Sequence, residues 1–215
     1  KIIKSKNVVW IKHNFEKKLL RKFKNRPKYI IHCAVNQKYF QNNEKKYFQS
    51  NSLIMENIID FAKKNKSYFI LNLSSIDVYG FINKNFVNEK YLPLQPNIYG
   101  KMKLKLEEKL YKENINFVNL RLPGVLSKNN QNLQRPWLNK VIKQIKQNKK
   151  INIFNQKKKF NNVIDTYEIA RLFRHVIKKK IIIRDTFNFA STCPIKLNKI
   201  LNLIKNRFSS RSVFY

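Results

Sequence analysis

The chain has 215 residues, is 43% hydrophobic and carries a formal charge of +34, enough for one good core or one core with a small appended lobe. No apolar stretch approaches the roughly 20 residues that cross a bilayer, and no signal-type segment follows Lys1, so the reading is a soluble cytoplasmic protein or a fragment of one. The charge comes from 37 Lys and only 9 Arg beside 30 Asn and 3 Gly, scattered as at Lys45, Lys63, Lys149 and Lys178 without any nucleic-acid motif, which points to a solvated surface and away from a nucleic-acid partner.

Short apolar runs rich in Ile, Val, Phe and Tyr take turns with stretches of helical period, the pattern of strands and helices alternating around a parallel sheet. The expected fold class is α/β, a doubly wound parallel sheet, with residues 1–125 forming the sheet domain and 126–215 mainly a smaller lobe whose segments return to the sheet. In chain order, 7–11 reads as a strand, 16–24 as a helix, 29–34 as a strand and 44–65 as a long helix. A strand at 68–73, a helix at 99–113 and a strand at 116–120 follow. Helices at 136–148 and 166–178, a short strand at 186–189 and a helix at 195–205 complete the series, and 209–215 ends in a strand-like run. Continuous rather than alternating apolarity predicts strands covered on both faces. Asp165 and Thr166 supply a cap for the helix at 166, and Lys178 to Lys180 close it in agreement with the helix dipole. Cys33 and Cys193 sit in apolar, strand-like contexts without metal-ligand spacing, which favours a reducing compartment. His13, His32 and His175 are too dispersed for a metal site or a triad, and Trp10 and Trp137 read as core or rim packing.

The chemistry gathers where the strand at 68–73 runs into Ser74-Ser75-Ile76-Asp77-Val78-Tyr79-Gly80 and a helix opens on Tyr99-Gly100-Lys101-Met102-Lys103. In an open parallel sheet, ligands sit beyond the carboxyl ends of the strands, where Ser74 and Ser75 fall. Tyr99 and Lys103 are four apart and share one helix face. A free phenol titrates near 10, too high for a base at neutral pH, and a neighbouring ammonium favours its ionised form. Tyr99 so tuned can exchange a proton with a substrate oxygen while Ser75 hydrogen-bonds the same atom. Tyr-x-x-x-Lys alone is a weak signal in a chain with 10 Tyr; the serines upstream and the Leu122-Pro123-Gly124 turn downstream give it weight.

With these segments in place, the chain resembles the NAD(P)-dependent epimerase/dehydratase branch of the extended short-chain dehydrogenase/reductases, a Rossmann-like family, over nearly its whole length. The segment Ile30-Ile31-His32-Cys33-Ala34-Val35 is similar to that family's strand end beside the cofactor, and Asn51 to its helix asparagine. Ser74 to Gly80 is similar to its serine strand, Tyr99 to Lys103 to its catalytic helix, Arg121 to Gly124 to its turn near the nicotinamide, and 160–165 to its late substrate-side segment. The resemblance implies catalytic Ser75, Tyr99 and Lys103. It implies NAD or NADP held by Asn14, Phe15, Ala34, Val35, Asn51, Ser74, Tyr99, Lys103 and Pro123, and a nucleotide sugar touched by Ser75, Gly124, Asn161 and Asn162. It also implies a homodimer formed through the catalytic helix, with Leu104, Leu106 and Leu110 as packing residues, and no metal.

The departures are specific. A doubly wound sheet opens with a glycine-rich turn whose helix holds the pyrophosphate, whereas the only glycines are Gly80, Gly100 and Gly124; an N-terminal portion on the order of 50 residues is expected to be absent from this chain. Ile76 and Asp77 stand where dehydratases carry an acidic pair, which argues against dehydration. Gly124 replaces a substrate-side Asn and Asn161 a phosphate-binding Arg, though Lys157 to Lys159 offer charge nearby. The leading expectation is an oxidoreductase or epimerase acting on a hydroxyl or keto group of a nucleotide sugar, in polysaccharide metabolism. The alternatives are a non-catalytic basic protein that binds nucleotide or nucleic acid, or an inactive truncated chain.

Overall fold

The computed structural model of the chain describes residues 7–19, 23, 26–84, 86–127, 137–160 and 163–215. After β1 (Tyr29–His32), the long helix α1 (Glu44–Lys64) starts where Asn43 accepts a hydrogen bond from the Lys46 N–H at 2.8 Å, with Glu44 in its first turn and Lys63 and Lys64 in its last, as capping and the helix dipole favour. Then come β2 (Phe69–Ser75), a 3₁₀ turn (Ile76–Tyr79) and α2 (Ile98–Tyr111), capped by Asn97. The chain continues through β3 (Phe117–Leu122), β4 (Gly124–Leu126), α3 (Trp137–Lys146), β5 (Lys150–Ile151), β6 (Lys159–Phe160) and β7 (Val163–Asp165). It closes with α4 (Thr166–Lys179), β8 (Arg184–Asn188), β9 (Ile195–Lys196), α5 (Leu197–Arg207) and β10 (Val213–Phe214).

Four strands form the central sheet in the order β1, β2, β3, β8, every neighbouring pair parallel. Side chains alternate across such a sheet, and both sides are covered. Ile70 and Phe117 enter a core with Tyr47, Met55 and Ile59 of α1 and Met102, Leu106 and Leu110 of α2. On the other face Phe69, Leu71, Val118 and Leu120 meet Ile169, Leu172, Phe173 and Val176 of α4. Coverage on two sides is why successive residues of β2 and β3 are apolar instead of alternating, and the Asn72 and Asn119 that interrupt them are buried and paired with each other at 2.8 Å. A third core joins α3, α5, Ile151 and Ile153, and beside it β5 pairs with β10.

The element series follows the sequence closely, with four corrections. Residues 7–11 belong to no strand, and Val9 and Trp10 are largely exposed; an apolar run becomes a strand only where an edge offers it hydrogen bonds, and the β1 edge is not matched to it. Trp10 is therefore not a core residue. Of the helix expected at 16–24, residues 20–22 and 24 lie outside the described residues, and the described start is a turn closed by Lys17 N–H donating to the Asn14 carbonyl at 2.9 Å. Both cysteines are exposed and free, and Cys193 lies in a bend.

Candidate active site

Ser75 is the last residue of β2, at the carboxyl end of the sheet. Its Oγ accepts from the Asp77 N–H at 3.1 Å and so caps the 3₁₀ turn, a bond that uses a lone pair and leaves the hydroxyl proton for another acceptor. Gly80 ends this turn at φ 66°, a region that favours glycine, and its neighbours bridge to Leu94, with Phe81 N–H donating to the Leu94 carbonyl at 2.8 Å and Leu94 N–H to the Tyr79 carbonyl at 2.9 Å. Gly100, in the first turn of α2, lies so close to the turn that a Cβ there would collide with the Asp77 carbonyl oxygen. These two contacts seat the start of α2, and with it Tyr99, beside the residues that follow Ser75. Gly100→Ala is expected to force the helix off the turn and cost about 1–3 kcal/mol of stability, read as a lower urea midpoint; an unchanged midpoint would mean that the contact yields freely.

Lys103 is 2% exposed. Its Nζ lies 5.6 Å from the centroid of the Tyr99 ring and donates to the Leu73 carbonyl of β2 at 2.6 Å. Burial pushes this ammonium down to about 8, while the Cys33 and Glu107 charges act the other way. The structure thus brings Ser75, Tyr99 and Lys103 to one end of the sheet, with the lysine tethered to the strand that carries the serine. Tyr47 packs in the same core as Tyr99 and is fully buried; burial, with the Tyr99 charge, pushes its phenol up to about 12, so Tyr47 stays protonated and does not compete as a proton acceptor.

On the side of β1, Ala34 and Val35 are half-buried at the strand end. Asn51 holds the following backbone: its Oδ1 accepts from Asn36 N–H at 2.9 Å and its Nδ2 donates to the Asn36 carbonyl at 3.1 Å and the Tyr47 carbonyl at 2.8 Å. Its amide therefore shapes the segment through the chain itself. The loop carrying Asn14 and Phe15 is tied to the same place. Asn57 Nδ2 donates to the Phe15 carbonyl at 2.9 Å, Asn36 Nδ2 donates to Glu16 at 2.8 Å, and Ser50 also donates to Glu16. The bonds from Ser50 and Asn36 hold the Glu16 carboxyl below its ordinary value. A cavity of about 230 Å³ lies between this loop, β1 and α1, lined by Phe15, Ile30, His32, Ala34, Ile58 and Phe61 among others.

His32 is buried with both ring nitrogens lacking a hydrogen-bond partner, and burial, with the Lys103 charge, pushes it down to about 3. A base whose folded pKa lies below its unfolded value binds its proton mainly in the unfolded chain. Stability present above about 6.5 is then lost as pH falls toward about 3. The urea midpoint should drop across that window, and less steeply in His32→Leu; equal slopes would remove His32 as the cause.

Ser74, expected on the cofactor side, instead sends its hydroxyl inward to Glu107 of α2. Glu107 also receives Arg121 of β3, with Nη2 to Oε2 at 2.7 Å and Nε to both oxygens at 3.2 Å. Burial works against the Arg121 charge, but the hydrogen bonds and charge of Glu107, aided by Tyr79, hold its pKa above the usual guanidinium value. Glu107 was not singled out by the motif reading, though its spacing of four from Lys103 and eight from Tyr99 places it on their helix face. Pro123 is buried, and Gly124 opens β4, paired with Val163 of β7. Asn161 and Asn162 lie outside the described residues. Lys157 to Lys159 are exposed at the start of β6. Among the described residues no cluster of three His, Cys, Asp or Glu could hold a metal, and no helix is long and apolar enough to cross a membrane.

Residues 4–190 match the NAD dependent epimerase/dehydratase family. No curated protein matches the chain in sequence. Among solved structures, RMD from Pseudomonas aeruginosa, complexed with NADPH, superposes with a TM-score of 0.76 at 17% identity, covering 95% of this chain and 75% of that one. An epimerase from Methanothermobacter thermautotrophicus gives 0.76 at 19% identity, covering 100% and 68%. UDP-N-acetylglucosamine 4-epimerase from Bacillus cereus gives 0.72 at 20% identity, covering 89% and 66%. At such identities the likeness concerns the fold, which is Rossmann-like, and the chain spans under two thirds of the length of other structures it matches, such as 64% and 62%.

Proposed function

The chain belongs to the NAD dependent epimerase/dehydratase family, and on that premise we propose that it carries the proton-transfer half of an oxidoreductase or epimerase acting on a hydroxyl or keto group of a nucleotide sugar. The observation that supports this most is the buried Lys103 ammonium, 5.6 Å from the Tyr99 ring and bonded to the strand that ends in Ser75. In the keto-to-alcohol direction, the Tyr99 hydroxyl gives its proton to the carbonyl oxygen, Ser75 donates a hydrogen bond to the same oxygen, and the Lys103 charge stabilises the phenolate left behind. The reverse direction returns the proton to Tyr99. When bound, the nicotinamide supplies or accepts the hydride.

The residues present fit the reacting end of such a cofactor. The cavity of about 230 Å³ lies beside β1, where Ala34 is part of its lining, Val35 is half-buried and the Asn14–Phe15 loop is tied down. Among the described residues no glycine is free to grip a pyrophosphate, because Gly80 and Gly100 are taken up by tight packing at the 3₁₀ turn and Gly124 by β4. Reduction or epimerisation ranks ahead of dehydration because Ile76 and Asp77, not two acids, follow Ser75. The nucleotide-sugar class rests on the family and on neighbours that include a UDP-sugar epimerase. Pairing of two copies through the catalytic helix α2, and a reducing cytoplasmic setting consistent with two free exposed cysteines, belong to the same proposal.

The test is to supply the chain with saturating NADH or NADPH and a panel of UDP- and GDP-linked keto sugars, following nicotinamide absorbance and, for epimerisation, product stereochemistry by NMR. Turnover with one of them is the expected result. Absence of turnover together with absence of any dinucleotide contact in saturation-transfer NMR would overturn the proposal.

A further inference from the structure

Beside Ser75, Tyr99 and Lys103 lies a buried ion pair that the proposed reaction does not itself use. Tyr99, Lys103 and Glu107 follow one another at intervals of four and so line one face of α2. Glu107 is 2% exposed and Arg121 7%. Beyond its three contacts with Glu107, Arg121 donates through Nη1 to the Tyr79 hydroxyl at 2.9 Å and to the Glu89 carbonyl at 3.2 Å. Tyr79 in turn donates to Asn188 Oδ1 at 2.6 Å, and the Asn188 N–H donates to Glu89 Oε1 at 2.7 Å. Ser74 binds the same Glu107 carboxylate. One carboxylate therefore ties together the end of β2, the 3₁₀ turn, the loop that carries Glu89, α2, β3 and β8.

Taking two charges out of water is costly, and apolar replacements of such pairs are often at least as stable. Stability alone is thus a weak account of this pair. Its position offers a better one. Lys103 is itself buried and hydrogen-bonds a neutral carbonyl, so its charge needs a nearby counter-charge. The groups around it are His32 and Cys33 at the end of β1, Tyr99 and Glu107 on α2, and Arg121 on β3 behind Glu107. His32 is neutral over the ordinary pH range. Glu107 is the carboxylate of the set.

We propose that Glu107, gripped by Arg121, is a positioning residue: it fixes the Ser74 side of the strand end and keeps the neighbouring Lys103 ammonium charged, while Arg121 links the Glu89 loop to the same carboxylate. This rests on the reading of Tyr99 and Lys103 given above. Lys103 is held near 8 by burial, with Cys33 and then Glu107 opposing that fall, so loss of the carboxylate should let Lys103 lose its proton at lower pH.

The experiment is competitive reductive methylation of the full chain across a pH series, with the Lys103 peptide quantified by mass spectrometry, in wild type, Glu107→Gln and Glu107→Gln/Arg121→Met. The double variant guards against failure of the single one to fold. In Glu107→Gln folded by circular dichroism, the labelling midpoint of Lys103 should move to lower pH, and in the double variant, which also removes the Arg121 cation lying behind Glu107, it should move the same way by less. In the single variant kcat should fall about tenfold, the weight of one charge-assisted contact, with KM for the sugar nucleotide little changed. A midpoint equal to wild type in a folded variant overturns the inference. Labelling needs neither dinucleotide nor substrate, so a chain that turns nothing over, but shows the midpoint shift, fails the proposed function alone.

Discussion

Tyr99→Phe is expected to lower nicotinamide-dependent turnover by about 10²–10⁴-fold, the range of a lost general acid or base, without unfolding the protein. The ring packs against the core shared by α1 and α2, and phenylalanine preserves that packing, so the change removes the hydroxyl and little else. Lys103 keeps its bond to the Leu73 carbonyl and its place over the ring, and Ser75 keeps its cap on the 3₁₀ turn. Neighbouring Tyr47 cannot take over, since burial holds its phenol near 12 and its hydroxyl lies in the core. The measurement is kcat with dinucleotide affinity determined separately. A variant with wild-type kcat would dispose of Tyr99 as the proton carrier.

The second large effect concerns stability. Arg121→Leu strips Glu107 of its bidentate partner while leaving the carboxylate 2% exposed, with the Ser74 hydroxyl and the neighbouring Lys103 charge as its remaining support, and breaking a buried pair typically costs about 3–5 kcal/mol. Tyr79 and the Glu89 carbonyl lose a donor in the same stroke. Equilibrium urea unfolding should show the loss as a lower midpoint at unchanged slope. Adding Glu107→Gln to the same chain should recover much of it, because the stranded charge is then gone; two variants of equal stability would mean that water already reaches Glu107.

Some of this molecule could be read from local pattern. The apolar residues on both faces of β2 and β3 announce strands covered on two sides, and the structure covers them with α1 and α2 on one side and α4 on the other. Asp165 caps α4 by accepting from Tyr167 N–H at 2.7 Å, as its place before a helical period implies. The spacing of Tyr99 and Lys103 by itself puts them on one face. Caps, periods and spacings of four act within a turn or two of chain, so the residues themselves fix them.

Other features depended on which distant segments meet. Residues 7–11 have the composition of a strand but form none, because strand formation needs an edge in register as well as a propensity. Ser74 and Ser75 must point to opposite faces of β2, yet only the packing of α2 decided that Ser74 turns inward to Glu107 while Ser75 caps the 3₁₀ turn. Glu107 and Arg121 carry nothing in sequence that marks them as partners. They are joined because α2 lies across the sheet where β3 brings its arginine alongside the β2 strand end, and a charge becomes a partner or a liability only once long-range pairing has removed water from around it.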